Sequence, residues 1–492
     1  MHRPRLAIAG THSGSGKTTV SLALMTLLAR QGQAVSPFKI GPDYIDSALH
    51  QTATGRVSRN LDAWLLPDAA LRALFLRHAA VDSIAVIEGV MGLFDGLGAS
   101  AHCSTAHVAA LFEAPVILVV NAEGSALSAA ALVSGFASFR PSFNPPCIPK
   151  DAPGNATPAN PKAGPNLPGP HLAGVILNRV SGPAHYALLR GAIEEHTGLP
   201  CFGWLDKNKG HENLDIPGLI AAAHSAPPLC VAFSPLPGLG AEPQIASPIR
   251  LGIARDAAFS LYYQDNLDML EELGAKLIPC SPLKDAALPD DLDGLYLGSG
   301  FPEIFAQELE DNLPFRQSLK TALEHGLPAF AECGGLLYLC AGLHVTLPGP
   351  PGPSSEGTAP TGGPRRRFAM TGFFPQETEM TGRLQPFGYV NATLLKDCIL
   401  GRKGDVFRGH EFHYSRLIDD PAPGTQADSP EYPSRESFGP AVRLDKADGR
   451  SWSGGLCKNR VLAMHTRVHF HGCPDAARHF IQVCRKRQKE RR

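Results

Sequence analysis

Short unbroken apolar runs, rather than strict apolar–polar alternation, punctuate the first 140 residues. Runs of that kind suit strands buried on both faces. LAIA at 6–9 predicts a strand, followed by a Gly-rich turn and a helix over KTTVSLALMTLLARQG that closes near Gly32. SIAVIEG (83–89), PVILVVNA (115–122) and AGVILNRV (173–180) predict further buried strands. This is the rhythm of an α/β fold: a parallel sheet with helices on both faces.

Residues 141–170 break the rhythm with a dense Pro, Gly, Asn and Ala stretch. Few large apolar groups are present there to offset the entropy of ordering, so a flexible insertion is expected. It is not expected to be a boundary, because AGVILNRV continues the same sheet pattern. A boundary is expected near 234–248, giving one domain over 1–240 and a second over 249–480. In the second, LGIARDAAF (251–259), AKLIPC (275–280), DGLYLGSG (293–300) and LPAFAECGG (327–335) read as strand starts. A Pro/Gly segment at 347–367 and a polar stretch near 419–437 are expected to be loops.

Composition narrows the function classes. Acidic residues number 46 against 45 Lys plus Arg, for a net charge of −1. Nothing global points to a nucleic-acid partner. The basic terminus RKRQKERR reads as a solvated tail. No apolar run is long enough to span a bilayer, so no membrane partner is expected. The start MHRPRLAIAG leaves little room for a signal peptide. Eleven scattered cysteines without a CxxC pair suit free thiols in a reducing, cytoplasmic compartment.

GTHSGSGKTT (10–19) lies between the first strand and its helix, the context that a P-loop needs. Backbone N–H groups from Thr11 through Thr19, with Gly14 and Gly16, would cradle ATP phosphates. Lys17 would neutralise the transferred phosphate, and Thr18 would ligate Mg²⁺. The glycines sit at 10, 14 and 16, so the strict pattern is shifted. KIGPDYIDSALH (39–50) sets Asp43 and Asp46 close together beyond a strand, to hold Mg²⁺ or orient a polar substrate. VIEGVMGLFDG (86–96) puts Glu88 at a strand tip as a Mg²⁺ ligand or water holder, with Asp95 in the next loop.

AFAECGGLLYL (329–339) predicts a strand, a sharp turn at Cys333 and a helix. That turn exposes a nucleophilic sulfur, with the N–H groups of Gly334 and Gly335 as oxyanion donors. The helix start would favour the thiolate. A base is expected from AMHTRVHFHG (463–472), whose His465, His469 and His471 would share one face of a strand. HEFHYS (410–415) adds His410, Glu411 and His413.

These motifs, with GRVSRNLDAW (55–64), LGIARDAAFSLYYQDNL (251–267) and LGSGFPE (297–303), resemble the cobyrinic acid a,c-diamide synthase family and its hydrogenobyrinic acid counterpart. The resemblance covers most of the chain in order. It implies a dethiobiotin synthetase-like ATP domain followed by a class I glutamine amidotransferase domain. It implies a corrinoid substrate activated as an acyl phosphate, with L-glutamine or ammonia as nitrogen donor. Sirohydrochlorin or its nickel complex is the alternative tetrapyrrole, and a homodimer is left open. By position, the resemblance makes Cys333 the glutaminase nucleophile and links Asp43 and Asp95 to activation of the substrate carboxylate. Glu88 falls on the acidic residue that helps to hold Mg²⁺. One position departs from the family: Arg467 stands where the histidine assisting the cysteine is usually found. Arginine cannot act as a base near neutral pH. Either His469 or His465 then takes over, or the glutaminase is weak and ammonia is used.

Overall fold

The computed structural model describes residues 2–144, 167, 169–207, 212–229, 247–347, 363–418 and 439–491. The expected insertion at 141–170, the boundary segment at 234–248 and the loops at 347–367 and 419–437 lie wholly or largely outside the described residues. The chain divides into two compact units, Met1–Pro237 and Gly238–Arg492.

The first unit is built on an eight-stranded sheet. Its strands are β1 (Arg5–Gly10), β2 (Ala34–Ile40), β3 (Arg59–Leu61), β4 (Ser83–Glu88), β5 (Val116–Asn121), β6 (Leu172–Val180), β7 (Cys201–Asp206) and β8 (Glu212–Leu214). They lie in the order β3-β2-β4-β1-β5-β6-β7-β8. All neighbours are parallel except β7 and β8. Leu6, Ile8, Val86, Ile117, Val119 and Ile176 pack with Val20, Leu24 and Leu28 of helix α1 (Lys17–Arg30) in one buried cluster. Two-sided burial explains why these strands read as continuous apolar runs. Register then sets the site: Glu88 pairs with Ile8 on one side and with Lys39 on the other. Three strand ends therefore reach the loop before α1 together.

The second unit has a six-stranded sheet in the order Ala275–Cys280, Ile249–Ala254, Gly294–Leu297, Ala329–Glu332, Val461–Met464 and Leu456–Lys458. All its pairs are parallel except the last. A five-stranded antiparallel sheet adds Ser451–Gly454, Val442–Asp445, Gly388–Leu394, Val406–Glu411 and Arg467–Val468. Among the described residues, no helix is long and apolar enough to cross a membrane.

The fold yields one stability prediction. Leu24 is fully buried between α1 and the sheet. Leu24→Ala is expected to cost about 2–5 kcal/mol, read as a lower urea midpoint for the first unit.

Candidate active site

The turn between β1 and α1 carries the phosphate loop. Gly14 and Gly16 have φ of 84° and 98°. A Cβ on Gly16 would lie 1.9 Å from Asn178 Nδ2, so this position excludes a side chain on steric and conformational grounds. Asn178 Nδ2 donates to the Ser15 carbonyl at 2.9 Å, bracing the loop from β6. Thr11 donates its backbone N–H to the Val119 carbonyl at 3.2 Å. Thr19 is exposed on the first turn of α1, and Lys17 is buried. Burial and the charge of Lys39 pull the Lys17 pKa down, against Glu88, Asp46 and Asp95.

Glu88 has no exposed surface. Its Oε1 accepts from Thr18 Oγ1 at 2.6 Å and from Lys39 Nζ at 2.9 Å. Its Oε2 lies 2.7 Å from His50 Nε2. Burial raises the Glu88 pKa, but the His50 hydrogen bond and the Lys39 charge outweigh it and lower the value to about 2. Asp46 moves the other way, pushed up by burial and by the charge of Glu88. Its Oδ2 lies 2.5 Å from Lys39 Nζ, and its Oδ1 lies 3.5 Å from Thr18 Oγ1. Thr18 Oγ1 thus lies within 3.5 Å of one oxygen each of Glu88 and Asp46, with Lys39 Nζ against both carboxylates; the oxygen donors are of the kind that a small hard cation such as Mg²⁺ takes.

Asp95 Oδ2 accepts from the Gly92 N–H at 2.9 Å. The same loop is tied to the phosphate loop by the Leu93 N–H, which donates to the Gly10 carbonyl at 2.8 Å. Asp43 is exposed and accepts from the Ile45 N–H at 2.8 Å. Lys39, His50 and Asn178 were not singled out from the sequence. Lys39 left a legible signal, as the one ionisable residue in the otherwise buried strand AVSPFKI.

Cys333 joins the strand Ala329–Glu332 to the helix Gly334–Leu339 with φ 47° and ψ −103°. A positive φ at a non-glycine residue is a strained turn of the kind that presents a nucleophile. A Cβ on Gly335 would lie 2.5 Å from the Leu297 carbonyl, so glycine lets the helix start close against the sheet. Cys333 Sγ donates to the His465 carbonyl at 2.8 Å, and Arg467 Nε donates to Sγ at 3.4 Å. Burial raises the Cys333 pKa, and the Arg467 charge opposes it.

The expected single strand carrying His465, His469 and His471 is not formed. His465 lies between the strands Val461–Met464 and Arg467–Val468, His469 follows the second, and His471 sits in a 3₁₀ turn. The chain switches sheets here: one strand pairs with Ala329–Glu332 and the next with Val406–Glu411, so alternation cannot continue. The His465 ring stacks on His413 at 3.8 Å, and its Nε2 lies 3.1 Å from Ser415 Oγ. His469 is buried, with Nε2 3.7 Å from Asp265 Oδ2, and neither ring nitrogen is hydrogen-bonded. The structure therefore brings the His465 backbone and the Arg467 side chain to the sulfur, and neither imidazole.

Glu88 ties folding to pH. Its folded value of about 2 lies below the ordinary 4.5, so its ionised form stabilises the fold above pH 4.5 and that contribution fades as pH falls toward 2. Glu88→Gln should cost about 3–5 kcal/mol near neutral pH by breaking a buried charge pair. Thermal unfolding midpoints should converge for the two proteins as the pH is lowered.

Two family profiles match the chain. One, described as a CobQ/CobB/MinD/ParA nucleotide binding domain, covers 6–215. The other, a CobB/CobQ-like glutamine amidotransferase domain, covers 250–442. The cobyrinate a,c-diamide synthase of Listeria monocytogenes serotype 4b is 37% identical over 95% of this chain and 96% of that protein. The one from Caldanaerobacter subterraneus is 38% identical over 97% of both chains. The one from Salmonella typhimurium is 35% identical over 97% of this chain and 98% of that protein. A nucleotide-binding unit followed by an amidotransferase unit, matched over 95–97% of the chain at such identity, makes this chain a member of the cobyrinate a,c-diamide synthase family.

Proposed function

We propose that this chain uses ATP and glutamine to convert the a and c acetate carboxylates of cobyrinic acid into carboxamides, releasing ADP, phosphate and glutamate. One observation carries the reading. A braced phosphate loop with a carboxylate cluster and a strained cysteine elbow occur in one chain that aligns almost throughout with enzymes of that name.

In the first unit, an acetate oxygen attacks the γ-phosphorus of ATP and ADP departs, leaving an acyl phosphate. The Thr11–Thr19 loop, with Gly14 and Gly16, holds the phosphates, and Lys17 meets the transferred group. Thr18, Glu88 and Asp46 would hold Mg²⁺, which supplies charge neutralisation for the phosphates when bound. Asp43, exposed at its helix start, and Asp95, turned onto the Gly92 N–H, orient the carboxylate. In the second unit, Cys333 attacks the glutamine amide carbon and forms a thioester as ammonia leaves. Water then releases glutamate from the sulfur. Ammonia attacks the acyl phosphate, and phosphate leaves. Among the described residues every cysteine is a free thiol, in keeping with a reducing cytoplasm.

Incubation with ATP, Mg²⁺ and cobyrinic acid, with glutamine or ammonium, tests the reading by product mass. Each amidation lowers the mass by about 1 Da and accompanies ADP release. Absence of product with both donors overturns the corrinoid assignment and directs the assay to sirohydrochlorin. Cys333→Ser should lower the glutamine-supported rate at least about a hundredfold, with ammonium restoring product.

A further inference from the structure

We infer that the Arg467 guanidinium, and not an imidazole base, brings the Cys333 thiol to its reactive ionised form. The inference rests on Cys333 being the glutamine nucleophile. Arg467 Nε reaches Sγ at 3.4 Å, while its Nη2 donates to the Phe412 carbonyl at 3.3 Å. Two contacts on one planar group fix where its charge sits.

Most of the surroundings oppose a thiolate. The His465 carbonyl, 2.8 Å away, accepts a proton that a thiolate no longer has. Burial and the negative charges of Glu332 and Glu411 act in the same direction. Glu332 precedes the cysteine on its own strand, and Glu411 ends the strand Val406–Glu411. Among the described residues, the guanidinium is the cationic group in direct contact with the sulfur, and its charge persists at every working pH.

Among the described residues, no imidazole is hydrogen-bonded to the sulfur. His465 Nε2 meets Ser415 Oγ, and His413 Nδ1 meets the Ser415 carbonyl. His410 is buried, and its pKa is lowered to about 3 by burial and by Arg467 itself, so it stays neutral. His469 makes no hydrogen bond to the sulfur. On ionisation the sulfur proton passes to water, and the guanidinium holds the charge that remains.

Alkylation by iodoacetamide tests this on the full chain. The thiolate sulfur bonds to the methylene carbon and iodide leaves, so the rate follows ionisation. Mass spectrometry of the peptide carrying Cys333 reads the rate between about pH 6 and 11, a window that reaches above the ordinary thiol range because burial lifts this thiol. In Arg467→Gln the midpoint should rise by about one pH unit. The rate at pH 7 should then fall about threefold, since tenfold less thiolate is partly offset by its greater nucleophilicity. Arg467→Lys, which keeps the charge, should recover most of the midpoint. Arg467→Met is a second neutral variant should the glutamine form not fold. An unchanged midpoint in a folded neutral variant overturns the inference. The assay needs neither glutamine nor corrinoid, so its failure is separate from failure of the amidation reading.

Discussion

A carboxylate with no exposed surface, Glu88, is the contact on which the ATP-binding half of the molecule turns. An isolated buried charge of this kind is costly, and it persists only when paired and hydrogen-bonded. Here three groups from three segments meet it: Thr18 from the first turn of α1, Lys39 from the end of β2, and His50 from the helix Ile45–Thr54. Each contact fixes an element relative to β4. The phosphate loop, the aspartate-bearing helix and the strand ends therefore take up their places around one oxygen pair. Removing that carboxylate would disperse a site as well as a charge.

The second unit concentrates its constraint in backbone geometry. Cys333 occupies a conformation rare for a side-chain-bearing residue, and neighbouring backbone holds it there. Its N–H donates to the Met464 carbonyl at 2.9 Å, and the Leu337 N–H donates to its carbonyl at 3.2 Å. Glu332 Oε1 accepts from the Val468 N–H at 2.9 Å, which sets Arg467 beside the sulfur. Tyr296 donates to the other oxygen of Glu332 at 2.6 Å. Burial raises the Glu332 pKa to about 7. Burial thus favours the neutral acid at the residue just before the cysteine.

The two centres use charge differently. In the first, a lysine is surrounded by carboxylates, and Lys39 is held protonated because Glu88 and Asp46 outweigh its burial. In the second, one arginine works against burial and two carboxylates to favour an anion. A chain that is nearly neutral overall can therefore carry strong local fields of either sign.

Much of this was legible before folding. Buried parallel strands show as unbroken apolar runs, because both faces of each strand are covered; β1, β4, β5 and β6 were readable for that reason. The Gly-rich turn before α1 and the turn at Cys333 were readable because their chemistry lies in consecutive residues. The short strands β3 and β8 and the antiparallel sheet of the second unit were not, since brief, partly exposed segments leave weak patterns. Contacts between distant residues lay outside the sequence altogether. Strand register brought Lys39 to Glu88, and a switch between two sheets turned His469 toward Asp265 while placing Arg467 against the sulfur. Which local segments could bind phosphate or present a nucleophile follows from neighbouring residues, and so was written in the chain before folding. Which side chains reach the Cys333 sulfur and the Glu88 carboxylate was set by folding, because those distances depend on the pairing and packing of strands far apart in the chain.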